Sequence, residues 1–195
     1  MKILIFVPMM LAMVLPATAQ TGSPKSDLIA GCESCHAVGA KGQTNETPRL
    51  NGQRADYLLK RLSELTIAGI QSPRSVEAMW TNAHKLDDRT RQQVAAYFSQ
   101  LAPTNASPKP ASASGKNLYE HGLASSGIPS CQSCHGNGGE GGPATPRLAG
   151  QRKEYLTEQL WAFNFVVRVH GPMNNTALKL MADQIDALAS YMAGP

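Results

Sequence analysis

The 195-residue sequence lacks the features that mark three large classes of protein. After residue 15 no apolar run approaches the roughly 20 residues that cross a bilayer. No segment alternates between apolar and polar residues for long, so no β-sheet is predicted. The formal charge is only +4, and no basic stripe with interleaved aromatic residues occurs. The sequence therefore argues against a membrane-spanning body, a β-sheet fold and a nucleic-acid-binding protein.

The one substantial apolar run lies at the N-terminus, in residues 3–15. It follows a basic start at Lys2 and precedes the small residues 17–19, which is the pattern of a cleaved secretory signal. An uncleaved anchor helix is the alternative, but the run is short and contains Pro8. We therefore predict that residues 1–19 are a signal peptide cleaved after Ala19 and that the mature protein is exported to the periplasm.

Cysteine is scarce, with only four in the chain. All four occur in two Cys-x-x-Cys-His units, residues 32–36 and 131–135. This is the attachment signature of c-type haem, because two thiols at that spacing can form thioethers with the two vinyl groups of one porphyrin. The adjacent imidazole can then reach the iron. The sequence thus predicts two covalently bound haem c groups, with thioether bonds at Cys32, Cys35, Cys131 and Cys134 and iron ligation by His36 and His135.

Two other uses of the cysteines remain open. The four thiols could form two disulfides, which suit an exported protein, although disulfides require no histidine after each pair. Zinc binding would need a fourth ligand from elsewhere in each half. Haem attachment accounts for the complete motif. In bacteria it also takes place outside the inner membrane, which agrees with the predicted signal peptide.

The sequence contains an internal repeat. Pro-Arg-Leu-Asn-Gly-Gln-Arg at 48–54 recurs as Pro-Arg-Leu-Ala-Gly-Gln-Arg at 146–152, an offset of 98, against 99 for the haem motifs. Further on the offset falls to 94, so the first half has about four extra residues near 69–73. A segment rich in proline separates the halves. We predict two domains, residues 20–101 and 115–195, joined by a Pro-rich linker at 102–114.

Apolar residues recur at helical spacing in most of each half. The periodicity predicts helices over 56–67, 88–101, 116–122, 153–165 and 182–192, and the glycine-rich residues 136–142 predict a loop. Each half has roughly 80 residues, a size at which the apolar core is marginal without another stabilising group. The predicted fold is all-α, with two domains related by internal duplication, in which a buried haem would complete each core.

The second axial ligand of each iron decides the function, because methionine blocks exogenous ligands whereas an open position permits catalysis. Met79 is the only methionine of the first half once residues 1–19 are removed, and it aligns with Met173 in the repeat. We therefore predict that Met79 and Met173 ligate iron, although core packing is an alternative for Met79. His84 is the rival ligand in the first half, but it aligns with Leu178. In the second half the rivals are His170 and His121.

The repeated Pro-Arg-Leu segments are candidates for supporting roles. The carbonyls of Pro48 and Pro146 could accept the imidazole N–H of a haem ligand, which would fix the ring. A guanidinium fork suits a carboxylate, so Arg49 and Arg147 are predicted to bind haem propionates. An ordinary loop with one buried leucine is the alternative for each segment. The tyrosines that follow, Tyr57 and Tyr155, fit propionate donors or helix caps.

These motifs and spacings make residues 25–195 resemble the cytochrome c4 family. The resemblance is carried by both Cys-x-x-Cys-His units, both Pro-Arg-Leu-x-Gly-Gln segments and the Arg-to-Met and Met-to-Leu spacings before the last helices. It implies two tandem class I cytochrome c domains, His/Met coordination of both irons and haem propionates that face each other across a pseudo-twofold interface. Two departures are the short segment before Cys32 and Trp161, whose equivalent is Ser63.

The resemblance and the motifs together predict an exported di-haem c-type cytochrome that carries electrons and has no enzymatic turnover. Its predicted partners are redox proteins, namely a terminal oxidase, a bc1-type complex or a dehydrogenase, through which it could associate peripherally with a membrane. The runner-up is the cytochrome subunit of a flavocytochrome c sulfide dehydrogenase. A di-haem peroxidase or thiosulfate dehydrogenase is a third alternative, which would require one iron to be open or unusually ligated.

Overall fold

The computed structural model describes residues 26–67, 75–105 and 112–194. The predicted signal peptide, the insertion near 69–73 and linker residues 106–111 lie outside the described residues. In the first half the described helices are α1 Ser26–His36, α2 Ala55–Glu64, α3 Ser75–Ala83 and α4 Asp88–Gln100. In the second half they are α5 Ala113–His121, α6 Gln132–His135, α7 Lys153–Asn164, α8 Gly171–Ala177 and α9 Ala182–Met192, with a short 3-10 turn at Ala124–Ser126.

Across the described ranges the regular structure is helical apart from two isolated β-bridges, so the predicted all-α fold is confirmed. Helix α9 has the predicted bounds, whereas α2, α4 and α7 end one to three residues earlier than predicted. Helix α5 begins earlier than predicted because the Ser112 hydroxyl accepts the N–H of Gly115 and caps the helix. None of the described helices has the length and apolar character needed to cross a membrane.

Each half has its own apolar core. In the first half α2 packs against α4, and Leu58, Val94 and Phe98 are buried between them together with Ile29 of α1. In the second half α9 packs against both α5 and α7. The second core consists of Leu118, Tyr119, Ile128, Leu156, Leu180, Ile185, Leu188, Ala189 and Met192. The helix pairs that pack together, α2 with α4 and α9 with α5 and α7, are all ones that the helical periodicity predicted.

The two Cys-x-x-Cys-His units are supported differently. In the first half α1 runs without a break through the motif to His36. In the second half α5 is followed by Gly122 at φ 68°, where a Cβ would lie 2.3 Å from the Ile128 carbonyl oxygen. Leu123 and Ile128 then exchange two backbone hydrogen bonds of 2.8 and 3.0 Å before the chain enters the motif. A single helix thus carries the first motif, and a helix, a loop and a short helix carry the second.

Candidate haem sites

The four cysteines are free thiols in both halves. Cys32, Cys35 and Cys131 are partly buried and Cys134 is exposed, and the structure shows no disulfide among them. Burial raises the pKa of Cys131 to about 11 and also raises the pKa of Cys32. The described residues contain no group of three or more histidine, cysteine or acidic side chains that could hold a metal ion. Each motif therefore presents two thiols that are not bonded to each other.

The motif histidines are buried and hydrogen-bonded in the same way. His36 and His135 are each 7% exposed. The Nδ1 atom of His36 lies 2.8 Å from the Pro48 carbonyl oxygen, and that of His135 lies 3.0 Å from the Pro146 carbonyl oxygen. Because a carbonyl can only accept, Nδ1 carries the proton and Nε2 keeps a lone pair for iron. The predicted hydrogen bonds to the two prolines are confirmed.

Burial also sets the charge of these two rings. It lowers the pKa of both His36 and His135, while the proline carbonyls act in the opposite direction. The lowered pKa favours the neutral imidazole, which is the form that ligates iron. In both sites the free thiols, the neutral imidazole and its orientation therefore all suit a covalently bound haem.

The glycine-rich segment after His135 is a loop, as predicted. Gly141 has φ 79°, and its N–H donates to the His135 carbonyl at 2.8 Å. Gly139 has φ 72°, and a Cβ there would lie 2.7 Å from Sδ of Met192. The Gly139 carbonyl accepts the N–H of Leu148 at 2.8 Å. The loop thus ties the haem motif to the second Pro-Arg-Leu segment, which a chain with larger residues at these positions would not permit.

The candidate methionine ligands lie on short helices that the sequence did not predict. Met79 is in the middle of α3 and Met173 is near the beginning of α8, and both side chains are partly buried. Iron ligation by Met79 and Met173 stays a prediction. Met181 is 60% exposed and Met192 is 4% exposed, so they hold a surface and a core position.

The rival histidines differ in their surroundings. His84 is exposed and stacks on Trp80, with ring centroids 5.0 Å apart and an interplanar angle of 20°. His121 is exposed at the end of α5. His170 lies near His135. Its charge lowers the pKa of His135, in addition to the effects of burial and of the Pro146 hydrogen bond. His170 therefore remains the nearer rival to methionine in the second half.

A buried asparagine organises the segment that precedes the candidate ligand on α8. Asn174 is 8% exposed, and its Nδ2 donates to the carbonyls of Phe163 and Arg168, both at 2.8 Å. Its Oδ1 accepts the N–H of His170 at 2.6 Å. Sequence reasoning missed this residue, because the repeat places the dissimilar Trp80 at the equivalent position. Its side chain thus binds three backbone groups at the end of α7 and in the turn that leads to α8.

The two arginines of the repeated segments lie against one turn of the second half. Nη1 of Arg49 donates to the Gly150 carbonyl at 2.7 Å, across the boundary between the halves. Nε of Arg147 donates to the Ala149 carbonyl at 3.1 Å. The predicted binding of haem propionates by Arg49 and Arg147 stays a prediction.

Two glutamines join the halves, and the sequence analysis assigned no role to either. Gln53 donates from Nε2 to the Arg147 carbonyl at 2.9 Å and accepts the Arg147 N–H at Oε1 at 2.7 Å. Gln151 makes the same pair of bonds with Arg49, at 3.0 and 2.8 Å. Each Oε1 also accepts the N–H of the residue that follows its glutamine. The recurrence of Gly-Gln-Arg in both repeats was the available signal.

A partly buried arginine makes a further contact between the halves. Nη2 of Arg168 donates to the Tyr57 hydroxyl at 3.0 Å, and its guanidinium lies 4.6 Å from the ring centroid of Phe163. Burial raises the pKa of the neighbouring Tyr155 to about 12, so its hydroxyl stays protonated at neutral pH. The sequence allowed two roles for Tyr57. In the structure its hydroxyl accepts the hydrogen bond from Arg168 of the other half.

Comparison with known proteins finds similar chains of the same two-domain size. Residues 110–192 match the family model described as cytochrome c oxidase, cbb3-type, subunit III. The chain is 33% identical over 176 residues to the cytochrome c4 of Azotobacter vinelandii, which covers 84% of this chain and 83% of the relative. It is 33% identical over 171 residues to a Stutzerimonas stutzeri protein named thiosulfate dehydrogenase electron acceptor, with 83% and 77% covered.

A solved structure agrees with the sequence comparison. The cytochrome c4 of Acidithiobacillus ferrooxidans superposes on this chain with a TM-score of 0.76 at 31% identity. The superposition covers 84% of this chain and 98% of that structure. The similarity therefore includes both halves and their arrangement.

Proposed function

Because the chain belongs to the cytochrome c4 family of electron-transfer c-type cytochromes, we propose that it is a periplasmic carrier with two covalently bound haem c groups. The observation that carries the proposal is the common arrangement in the two halves. Each half has a pair of free thiols beside a buried imidazole whose Nδ1–H is held by a proline carbonyl. When bound, haem supplies a one-electron couple at iron.

The residues of this chain have defined roles in the proposal. The proline hydrogen bonds keep the imidazoles in the tautomer that offers Nε2 to iron and make that nitrogen more basic. Met79 and Met173 would supply the second iron ligand in each half, which would leave no iron position for substrate. The proposed assignment is thioether bonds at Cys32, Cys35, Cys131 and Cys134, iron ligation by His36, Met79, His135 and Met173, and propionate binding by Arg49 and Arg147.

The proposed domain organisation follows from the same duplication. Residues 20–101 and 115–195 are the two cytochrome c domains, 102–114 is the linker, and residues 1–19 are removed after export. Helices α1 to α4 and α5 to α9 fall within these bounds apart from the first two residues of α5.

We expect the mature protein to have the mass of the polypeptide that begins at Gln20 plus two haems, because each motif is complete. Intact-mass spectrometry after export and maturation would measure this directly. A variant with Cys131 and Cys134 replaced by alanine is the matched control and should carry one haem. A wild-type mass with one haem or none would contradict the proposal.

We also expect no turnover with peroxide or thiosulfate, because six-coordinate irons offer no site for a substrate. The reduced protein should bind carbon monoxide only slowly for the same reason. Steady-state assays with both substrates and stopped-flow mixing with carbon monoxide would test this. Rapid carbon monoxide binding by either ferrous haem in the wild-type protein would favour the enzyme alternative.

The partners are proposed to be redox proteins, namely a terminal oxidase, a bc1-type complex or a dehydrogenase. The relative named thiosulfate dehydrogenase electron acceptor supports a dehydrogenase as donor. The oxidised protein should then be reduced when it is mixed with a purified thiosulfate dehydrogenase and thiosulfate. No reduction should occur when the dehydrogenase is omitted. Failure of reduction with the enzyme present would exclude this donor and leave the carrier role intact.

A further inference from the structure

Each interdomain glutamine holds the peptide group that orients the haem ligand of the other half. The Pro48 carbonyl and the Arg49 N–H belong to one planar peptide unit. Its carbonyl accepts the His36 Nδ1–H at 2.8 Å, and its N–H donates to Gln151 at 2.8 Å. One rigid group thus connects an imidazole in the first half to a side chain of the second.

The second site shows the same connection in the opposite direction. The peptide unit between Pro146 and Arg147 accepts the His135 Nδ1–H at 3.0 Å and donates to Gln53 at 2.7 Å. The two glutamines are 7% and 6% exposed. Each uses Nε2 as a donor and Oε1 as a double acceptor, so its amide makes three hydrogen bonds. An amide held at three points cannot rotate without breaking buried hydrogen bonds.

We infer that Gln53 and Gln151 are positioning residues that act crosswise, Gln53 on the imidazole of His135 and Gln151 on the imidazole of His36. The inference rests on the proposed haem in each half. Hydrogen bonds in a chain polarise one another. When the N–H of a peptide unit donates to glutamine, the carbonyl of the same unit therefore becomes a stronger acceptor. A stronger bond to Nδ1–H makes the imidazole more basic. A more basic ligand stabilises ferric iron and lowers the reduction potential.

Two reciprocal variants separate this role from general packing. Gln151→Leu should raise the reduction potential of the haem attached to Cys32 and Cys35 and leave the other potential unchanged. Gln53→Leu should raise the potential of the haem attached to Cys131 and Cys134. Both potentials can be followed by redox titration with NMR, where hyperfine-shifted signals of each haem are assigned through its cysteine side chains. Each variant is thus expected to change the potential of the haem in the other half.

Gln184→Leu is the matched control. Gln184 also lies in the second half, but its Oε1 accepts the N–H of Met181 three residues earlier, within one helix cap. This variant should change neither potential. The inference is overturned if Gln151→Leu and Gln53→Leu alter the haem of their own half, if they shift both potentials equally, or if they shift neither.

Backbone hydrogen exchange gives a readout that does not depend on redox activity. The Arg49 amide should be protected in the wild-type protein and should exchange roughly tenfold faster in Gln151→Leu, as expected for the loss of one ordinary hydrogen bond. The Arg147 amide should respond to Gln53→Leu in the same way. If the variants do not fold, unprotected Arg49 and Arg147 amides in the wild-type protein would overturn the inference. A wild-type mass short of two haems would instead refute the proposed function, and the exchange test would still apply.

Discussion

Replacing Met79 by alanine is expected to abolish the sulfur-to-iron charge-transfer band of one ferric haem, lower its reduction potential and let it bind carbon monoxide. A thioether ligand raises the potential and occupies the sixth position, and alanine supplies neither effect. Met79 lies in the middle of α3, on the helix equivalent to the one that carries Met173. Ferric absorption spectra, redox titration and carbon monoxide binding to the ferrous protein measure the three changes.

His84→Ala is the control for this experiment. The His84 ring is exposed and stacked on Trp80, so its removal should leave the band, the potentials and the carbon monoxide response unchanged. The opposite pattern, in which the Met79 variant keeps its band and the His84 variant loses a ligand, would make the first haem bis-histidine. Its potential would then lie well below that of the second haem, and the two centres would not be a similar pair.

Gly150→Ala is expected to lower the free energy of unfolding by about 3 kcal/mol, because the left-handed backbone and the close contact both disfavour a side chain. Gly150 has φ 79°, and a Cβ there would lie 1.7 Å from the Thr104 carbonyl oxygen. The neighbour is backbone, so it cannot move aside as a flexible side chain would. The Gly150 N–H also donates to the Met192 carbonyl at 2.9 Å, which fixes the turn. Guanidinium unfolding followed by circular dichroism measures the change.

Gly31→Ala provides the matched comparison for that variant. Gly31 is exposed within α1, and a Cβ would meet nothing within 4 Å. Alanine has the higher helix propensity, so this variant should gain about 1 kcal/mol or less. Equal stability of the Gly150 and Gly31 variants would show that the Thr104 carbonyl does not pack against the Gly150 turn.

The long amphipathic helices and the haem motifs could be predicted from the sequence because their signals are local. Apolar residues at helical spacing place α4 and α9 within one residue of their observed ends. Helices α3 and α8 have nine and seven residues. They are too short to show a clear periodicity, and α8 contains glycine and two asparagines. Their formation depends on surrounding turns, such as the one held by Asn174.

The contacts between the halves could not be predicted, because each joins residues far apart in the chain. Gln53 and Arg147 are separated by 94 residues, and Tyr57 and Arg168 by 111. The repeat drew attention to the Pro-Arg-Leu segments, and the proline hydrogen bonds were predicted from them. The same repeat contains the glutamines. Whether a polar side chain forms hydrogen bonds within its own domain or with the other one depends on the folded chain and cannot be predicted from a local sequence pattern.

The reciprocal glutamine contacts have the form of an isologous patch, the kind found in a twofold-symmetric homodimer. Gln53 binds the backbone of Arg147, and Gln151 binds the backbone of Arg49, so both sides of the patch use the same residue types. When a gene duplication fuses two subunits of such a dimer into one chain, the existing contact surface is retained and no new one has to form. The connecting segment then raises the effective concentration of each half for the other, and an association between two chains becomes a fixed feature of one.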